Sequence, residues 1–322
     1  MTSLIDFGEA LRRTEGADRT LLVGNGFSSR YFSYANLLSA SKLKAGVPVR
    51  ELFDALGTVD FELVVRALEN ARDVERVYGE HGWANRFHDD ALIVREALVR
   101  AVNNTHPLHR QDLGPGYTSS ATFLSKFSTV FTLNYDLLLY WVNLEKGLLR
   151  DGFGLGNIRG PFIGPFREDA FCSLYNLHGG LHLFGDGAGG VMKALDGGRG
   201  VVATITDTIG RLSRFPVYVA EGTSAGKMAR INSNHYLRHC YDALRRNSAV
   251  VFVYGHSADD NDAHVYRAIF GSEAEHVYFG IYQPDETKFR IFDGQLAKYQ
   301  RSAGSRAGYT FFDSASAGVW DA

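Results

Sequence analysis

The stretch that most restricts the fold is Ala249-Val250-Val251-Phe252-Val253-Tyr254, six apolar residues without polar alternation, halted at once by Gly255-His256-Ser257. A strand with one wet face alternates apolar and polar residues. A strand that is apolar throughout needs cover on both faces, which points to parallel neighbours and helices on either side. Shorter versions of the same text recur. Thr20 to Val23 runs into Gly24-Asn25-Gly26-Phe27-Ser28, Thr129 to Leu133 into Asn134-Tyr135-Asp136, and Phe171 to Leu177 into His178-Gly179-Gly180. Pro216 to Ala220, His276 to Tyr282 and Tyr309 to Phe312 read as further strands. Helical spacing fills residues 3–14, 29–43, 49–104, 137–144, 232–247 and 260–270 between them. Strand alternating with helix predicts an α/β chain: a Rossmann-like parallel sheet with helices on both faces.

At 322 residues the chain is long enough for one large domain carrying inserts. The expected organisation is a single domain over 1–322, with a helical insert at about 45–115 and a small Gly-rich insert at about 147–215. Lys plus Arg number 34 against 36 Asp plus Glu, a net charge of −2, which argues against bulk electrostatic binding to nucleic acid or an anionic membrane. The longest apolar runs fall well short of the ~20 residues of a membrane span. The first residues show no signal-type apolar run. Two cysteines, Cys172 and Cys240, suit a reducing cytoplasm and cannot build a zinc ribbon.

In a doubly wound sheet, ligands sit at the carboxyl ends of the strands. Four such ends here carry chemistry. Gly24-Asn25-Gly26-Phe27-Ser28 is a turn whose glycines let backbone approach a pyrophosphate. It departs from the dinucleotide fingerprint at Ser29, and no acidic ribose reader follows. Asn134 and Asp136, two apart, offer an amide that can hold a water or a ribose hydroxyl and a carboxylate that can accept from sugar hydroxyls; the same pair would also cap a helix. His178, beside two glycines, is a candidate general base with open space around it. Gly255-His256-Ser257 and its acidic tail, Asp259 to Asp262, suit an adenosine ribose and equally a helix N-terminus. His178 with His182, and His235 with His239, have metal-ligand spacing, but neither pair shows a third ligand in the sequence, so no metal is expected.

In order, these four motifs resemble the sirtuin superfamily, whose members read Gly-Ala-Gly-x-Ser, Thr-Gln-Asn-x-Asp, His-Gly and Gly-x-Ser. More closely, with Thr58-Val59-Asp60-Phe61-Glu62, the chain is similar to sirtuin-like domains of bacterial anti-phage defence systems. The zinc ribbon of deacetylating sirtuins has no counterpart here, which puts a peptide cleft in doubt. The resemblance implies cleavage of NAD by water, to ADP-ribose and nicotinamide, by a defence effector that depletes NAD. It implies roles as well. Gly24, Asn25, Gly26, Phe27 and Ser28 would bind the cofactor's phosphates, and Asn134 would position the water or ribose hydroxyl. Asp136 would fix Asn134 or the nicotinamide ribose, His178 would act as base, and Gly255, His256 and Ser257 would contact the adenosine ribose. NAD is thus expected as substrate, with a homo-oligomer or a second defence-system subunit as partner. A non-catalytic NAD or ADP-ribose sensor, a deacylase and an ADP-ribosyltransferase are the alternatives.

Overall fold

The computed structural model describes residues 4–32, 37–79, 82–107, 109–196, 198–219 and 222–321. Eleven strands are formed among these residues: β1 (Arg19–Val23), β2 (Thr129–Thr132), β3 (Asn157–Arg159), β4 (Phe162–Gly164), β5 (Leu174–Asn176), β6 (Gly179–Gly185), β7 (Val191–Ala194), β8 (Pro216–Tyr218), β9 (Val250–Tyr254), β10 (His276–Ile281) and β11 (Gly308–Asp313). Six of them make one sheet in the order β11-β10-β9-β1-β2-β5, parallel at every pairing. The strand order reverses around β1, so the carboxyl ends of β1, β2 and β9 face one crevice.

The apolar strands are covered on both sides. Leu21, Val23, Val130 and Phe252 point into one core, and Leu22, Phe131, Val251 and Val253 into the other. On the first side Phe7 meets the rings of Phe123, Phe252 and Phe312 at 5.4, 6.1 and 5.7 Å. This is the Rossmann-like α/β arrangement read from the continuous apolar runs.

The second sheet departs from expectation. Strands β3-β4-β7-β6-β8 form a five-stranded antiparallel unit, so residues 216–218 pair with β6 and not within the parallel sheet. Ala220, the last residue of the strand expected there, lies outside the described residues, as do residues 33–36 of the helix expected over 29–43. Three residues of strand cannot signal which sheet they join, since pairing is set by distant partners.

The helical insert comprises the helices Pro48–Ala55, Phe61–Tyr78 and Ala84–Thr105. Asp60 caps the second, accepting from the Glu62 and Leu63 amides at 2.9 and 3.3 Å. Glu62 then pairs with Arg230 at 2.7 Å, tying the insert to the helix Ser224–Asn232. No helix among the described residues is long and apolar enough to cross a membrane.

Candidate functional site

The crevice contains a cleft of about 300 Å³ lined by Asn25, Leu133, Tyr135, His178, Val219, Lys227, Gly255, His256, Ser257, Asp259, Asn261 and Asp262. Three of the four strand-end motifs therefore contribute lining side chains, and the fourth, at Asn134, contributes its two neighbours.

Gly24 to Ser28 follows β1 as a 3₁₀ turn and does not open a long helix. Four of its five amides are engaged within the protein: Gly24 N–H donates to Tyr254 O at 2.9 Å, Gly26 N–H to Gly255 O at 2.8 Å, Phe27 N–H to Gly24 O at 3.0 Å and Ser28 N–H to Asn25 O at 3.0 Å. A Cβ on Gly26 would lie 2.5 Å from Gly255 Cα. The close backbone approach inferred from the glycines is thus real, but it is made to the loop after β9. Phe27 is fully buried, its carbonyl accepts from the Trp320 indole N–H, and its ring packs 5.3 Å from that indole. Asn25 is left facing the cleft.

Asn134 is buried behind this turn. Its Nδ2 donates to Gly24 O and Ser28 Oγ, both at 3.1 Å. The carbonyl partner fixes which end of the amide is nitrogen, so Oδ1 is the end left over. That oxygen is buried without a hydrogen-bond partner, an uncommon condition for a buried acceptor. Asp136 is also buried, and its Oδ1 accepts from Leu138 N–H at 2.7 Å in a tight turn just ahead of the helix Leu138–Lys146, whose N-cap position is taken by Leu137.

His178 follows β5 and precedes β6. Its carbonyl accepts from Val219 N–H at 2.9 Å, and a Cβ on Gly179 would meet Val217 O at 2.0 Å. The glycine after His178 therefore admits the chain near β8 and leaves no open space there. The His178 Nε2 lies 3.2 Å from the Nε2 of His264 and 3.8 Å from Asp262 Oδ1. Burial pushes His178 down to about 3, outweighing the neighbouring Asp262 charge, and pushes His264 down to about 4. Both imidazoles are neutral at neutral pH.

Sequence reasoning missed the hub of the site. The sequence offers Asp262 only as part of an acidic tail, suited to an adenosine ribose or to a helix N-terminus. Asp262 is buried, with Lys227 Nζ at 2.8 Å from Oδ1 and His256 Nε2 at 3.3 Å from Oδ2. Burial alone would raise its carboxyl; the His256 hydrogen bond and the Lys227 ammonium outweigh that and hold it well below the usual carboxylate range. His256 Nδ1 accepts from Ala258 N–H at 3.0 Å, which places the proton on Nε2, facing Asp262. His264 and Ser224 were also missed: Ser224 Oγ accepts from the His264 amide at 3.0 Å and lies 3.1 Å from its Nδ1. Lys227 and His264 sit within helices whose periodicity marks only burial, so no local signal singles them out. Ser257 is exposed, donating to Asp259 Oδ2 at 2.7 Å.

The expected absence of a metal rested on two histidine pairs, and the fold splits the first: His178 joins the hub, 3.8 Å from Asp262 Oδ1, while His182 does not belong to it. His182 is buried and stacks on Tyr140 with centroids 4.6 Å apart. His235 and His239 share Glu168, at 3.3 and 3.6 Å. A third grouping, His178, Asp262 and His264, places one ligand atom from each within 4.8 Å of the others.

A larger cleft of about 890 Å³ adjoins the first, sharing Val219 and Lys227 as a common wall. Thr58, Val59, Asp60, Glu62 and Arg66 of the insert line it together with Arg230.

A search of the curated proteins finds no match to the chain. One family does match, over residues 21–320: the chain belongs to the DUF4917 family, described as a domain of unknown function.

Proposed function

We propose that this chain is an NAD glycohydrolase, cleaving NAD with water to ADP-ribose and nicotinamide, and that it serves as an NAD-depleting effector in defence against phage. The observation that carries the reading is the orphaned, buried Oδ1 of Asn134, at the strand end that also supplies Leu133 and Tyr135 to a cleft holding a neutral histidine. An acceptor kept dry and unpaired is suited to a donor brought by the ligand, such as a ribose hydroxyl or an attacking water. The resemblance to sirtuin-like domains gives that donor its chemical identity.

Cleaving the bond to a cationic nicotinamide leaves a ribose with oxocarbenium character, and the protein's task is to orient the sugar and the water. Asn134 Oδ1 accepts from the water or ribose hydroxyl. His178, uncharged in its buried site, takes the proton released, and the carboxylate of Asp262 at 3.8 Å stabilises the imidazolium that results. The His178–His264–Ser224 line, at 3.2 and 3.1 Å, offers that proton a route to the half-buried hydroxyl. Lys227 and Asn25, rather than the four engaged amides of the turn, face the cleft as donors for phosphate oxygens.

The deciding measurement is nicotinamide release from NAD by purified protein over a range of protein concentrations. Turnover that His178→Ala abolishes supports the reading. Binding of NAD without turnover at any concentration would instead make the chain a sensor.

A further inference from the structure

We propose that His178, His264 and Asp262 form a binding site for a zinc-class divalent ion, which on binding takes the lone pairs of both histidines out of use. The argument begins with distance. A tetrahedral zinc with Zn–N bonds of about 2.0–2.1 Å holds two imidazole nitrogens about 3.3 Å apart. The two Nε2 atoms are 3.2 Å apart, at the long end of the hydrogen-bond range and close to the spacing that a shared ion sets. Asp262 Oδ1, 3.8 Å from His178 Nε2, must close by about 0.5 Å or more, a side-chain movement, to complete a three-ligand face. All ligand atoms lie within 4.8 Å of one another.

The donor chemistry agrees with the geometry. Two imidazoles and one carboxylate suit zinc and its transition-metal neighbours; magnesium and calcium prefer oxygen sets. Zinc needs histidines that are already deprotonated, and burial keeps both of these neutral. Each flanking ligand is oriented from behind, His264 by Ser224 at its Nδ1 and Asp262 by His256 at its Oδ2, the outer contacts typical of metal-bound histidine and carboxylate. His178 and Asp262 line the cleft, so the fourth position opens to water. Lys227 is the competitor: its ammonium, 2.8 Å from Asp262 Oδ1, is the resident counter-ion that zinc must displace or share.

The existence of the site is independent of the proposed activity, whereas the consequence for turnover rests on His178 being the base. Untagged full-length protein, stripped with chelator and titrated with zinc chloride at pH 7 by calorimetry, should bind one equivalent with micromolar affinity or better. Cobalt in its place should give the intense visible absorption of a tetrahedral ion. His264→Gln keeps a side chain able to bond Ser224 but lacks the imidazole lone pair, and should weaken binding by at least about 10²-fold. His178→Gln provides the same test should His264→Gln not fold. Lys227→Met, removing the competing charge, should tighten binding by about tenfold. The absence of a bound equivalent, or binding that survives both glutamine variants but is lost in His235→Ala at the exposed pair beside Glu168, would overturn the site. In the second arm, zinc should stop nicotinamide release by the wild type. A bound equivalent that leaves turnover intact would uphold the site and remove His178 as base.

Discussion

Replacing Gly26 by alanine separates two roles that a glycine at a strand end can play. The added Cβ would sit 2.5 Å from Gly255 Cα and 3.2 Å from Gly255 O, both backbone atoms of the loop after β9. Carbon–carbon contacts relax at about 3.5–4.0 Å, so the two loops must part by about 1 Å. The Gly26 to Gly255 hydrogen bond, 2.8 Å long, cannot survive that movement. Overpacking of this kind costs about 1–3 kcal/mol, and the lost bond about 1 kcal/mol. The sum, about 2–4 kcal/mol, corresponds to a fall in Tm of roughly 3–6 °C for a domain of this size. Gly255 cannot yield by changing conformation, because its own φ is +70° and its Cα faces Gly26. Urea denaturation and thermal melting of Gly26→Ala should show this loss. Gly154→Ala, where an added Cβ meets nothing within 4 Å, should stay within about 0.5 kcal/mol of wild type. A Gly26→Ala protein that melts with the wild type yet binds NAD at least tenfold more weakly would refute the packing argument and return the glycine to a phosphate cradle.

Three further outcomes are expected. Asn134→Ala and His178→Ala should each lower nicotinamide release on the order of 10²-fold or more while calorimetric NAD affinity stays near wild type, and the double variant should be little worse than the worse single one; near-normal turnover in both single variants would remove the mechanism. His106 and His264, held down at about 4, and His178 and His182, at about 3, bind protons more readily when unfolded. Their contribution is therefore full above the unfolded value near 6.5 and is lost as pH falls toward the folded values, at up to roughly 5 kcal/mol per pH unit near pH 5, and melting between pH 7.5 and 5 should show it; a flat Tm over that range would show that these histidines are not buried as neutral groups. Trp320→Ala removes an indole packed on Phe27 and Tyr31 and the donor to the Phe27 carbonyl, and should cost about 3–5 kcal/mol in denaturant titration.

The parallel sheet was legible because β9 and the Leu21–Val23 part of β1 are apolar without a break, and a strand buried on both faces reads the same in any surroundings. The antiparallel sheet was not. Its strands are three to seven residues long, set among glycines, and their pairing depends on partners that no local pattern names. For the site, strand ends located His178 and Asn134 because topology forces such ends together. Asp262 was misread because an acidic residue at a helix start already has a sufficient electrostatic explanation. The glycines misled in a particular way: close backbone approach was the right inference, and the approaching partner turned out to be the protein itself.

The join between Trp320 and Phe27 spans 293 positions of sequence, and β1 pairs with β9 across most of the chain. On the ribosome, β1 and β2 emerge long before the segment that covers the first turn. The cleft can therefore be assembled only when synthesis has passed β9, and its rear wall is locked only when residue 320 has been released from the exit tunnel. This order of emergence keeps nascent and truncated chains without a finished cleft.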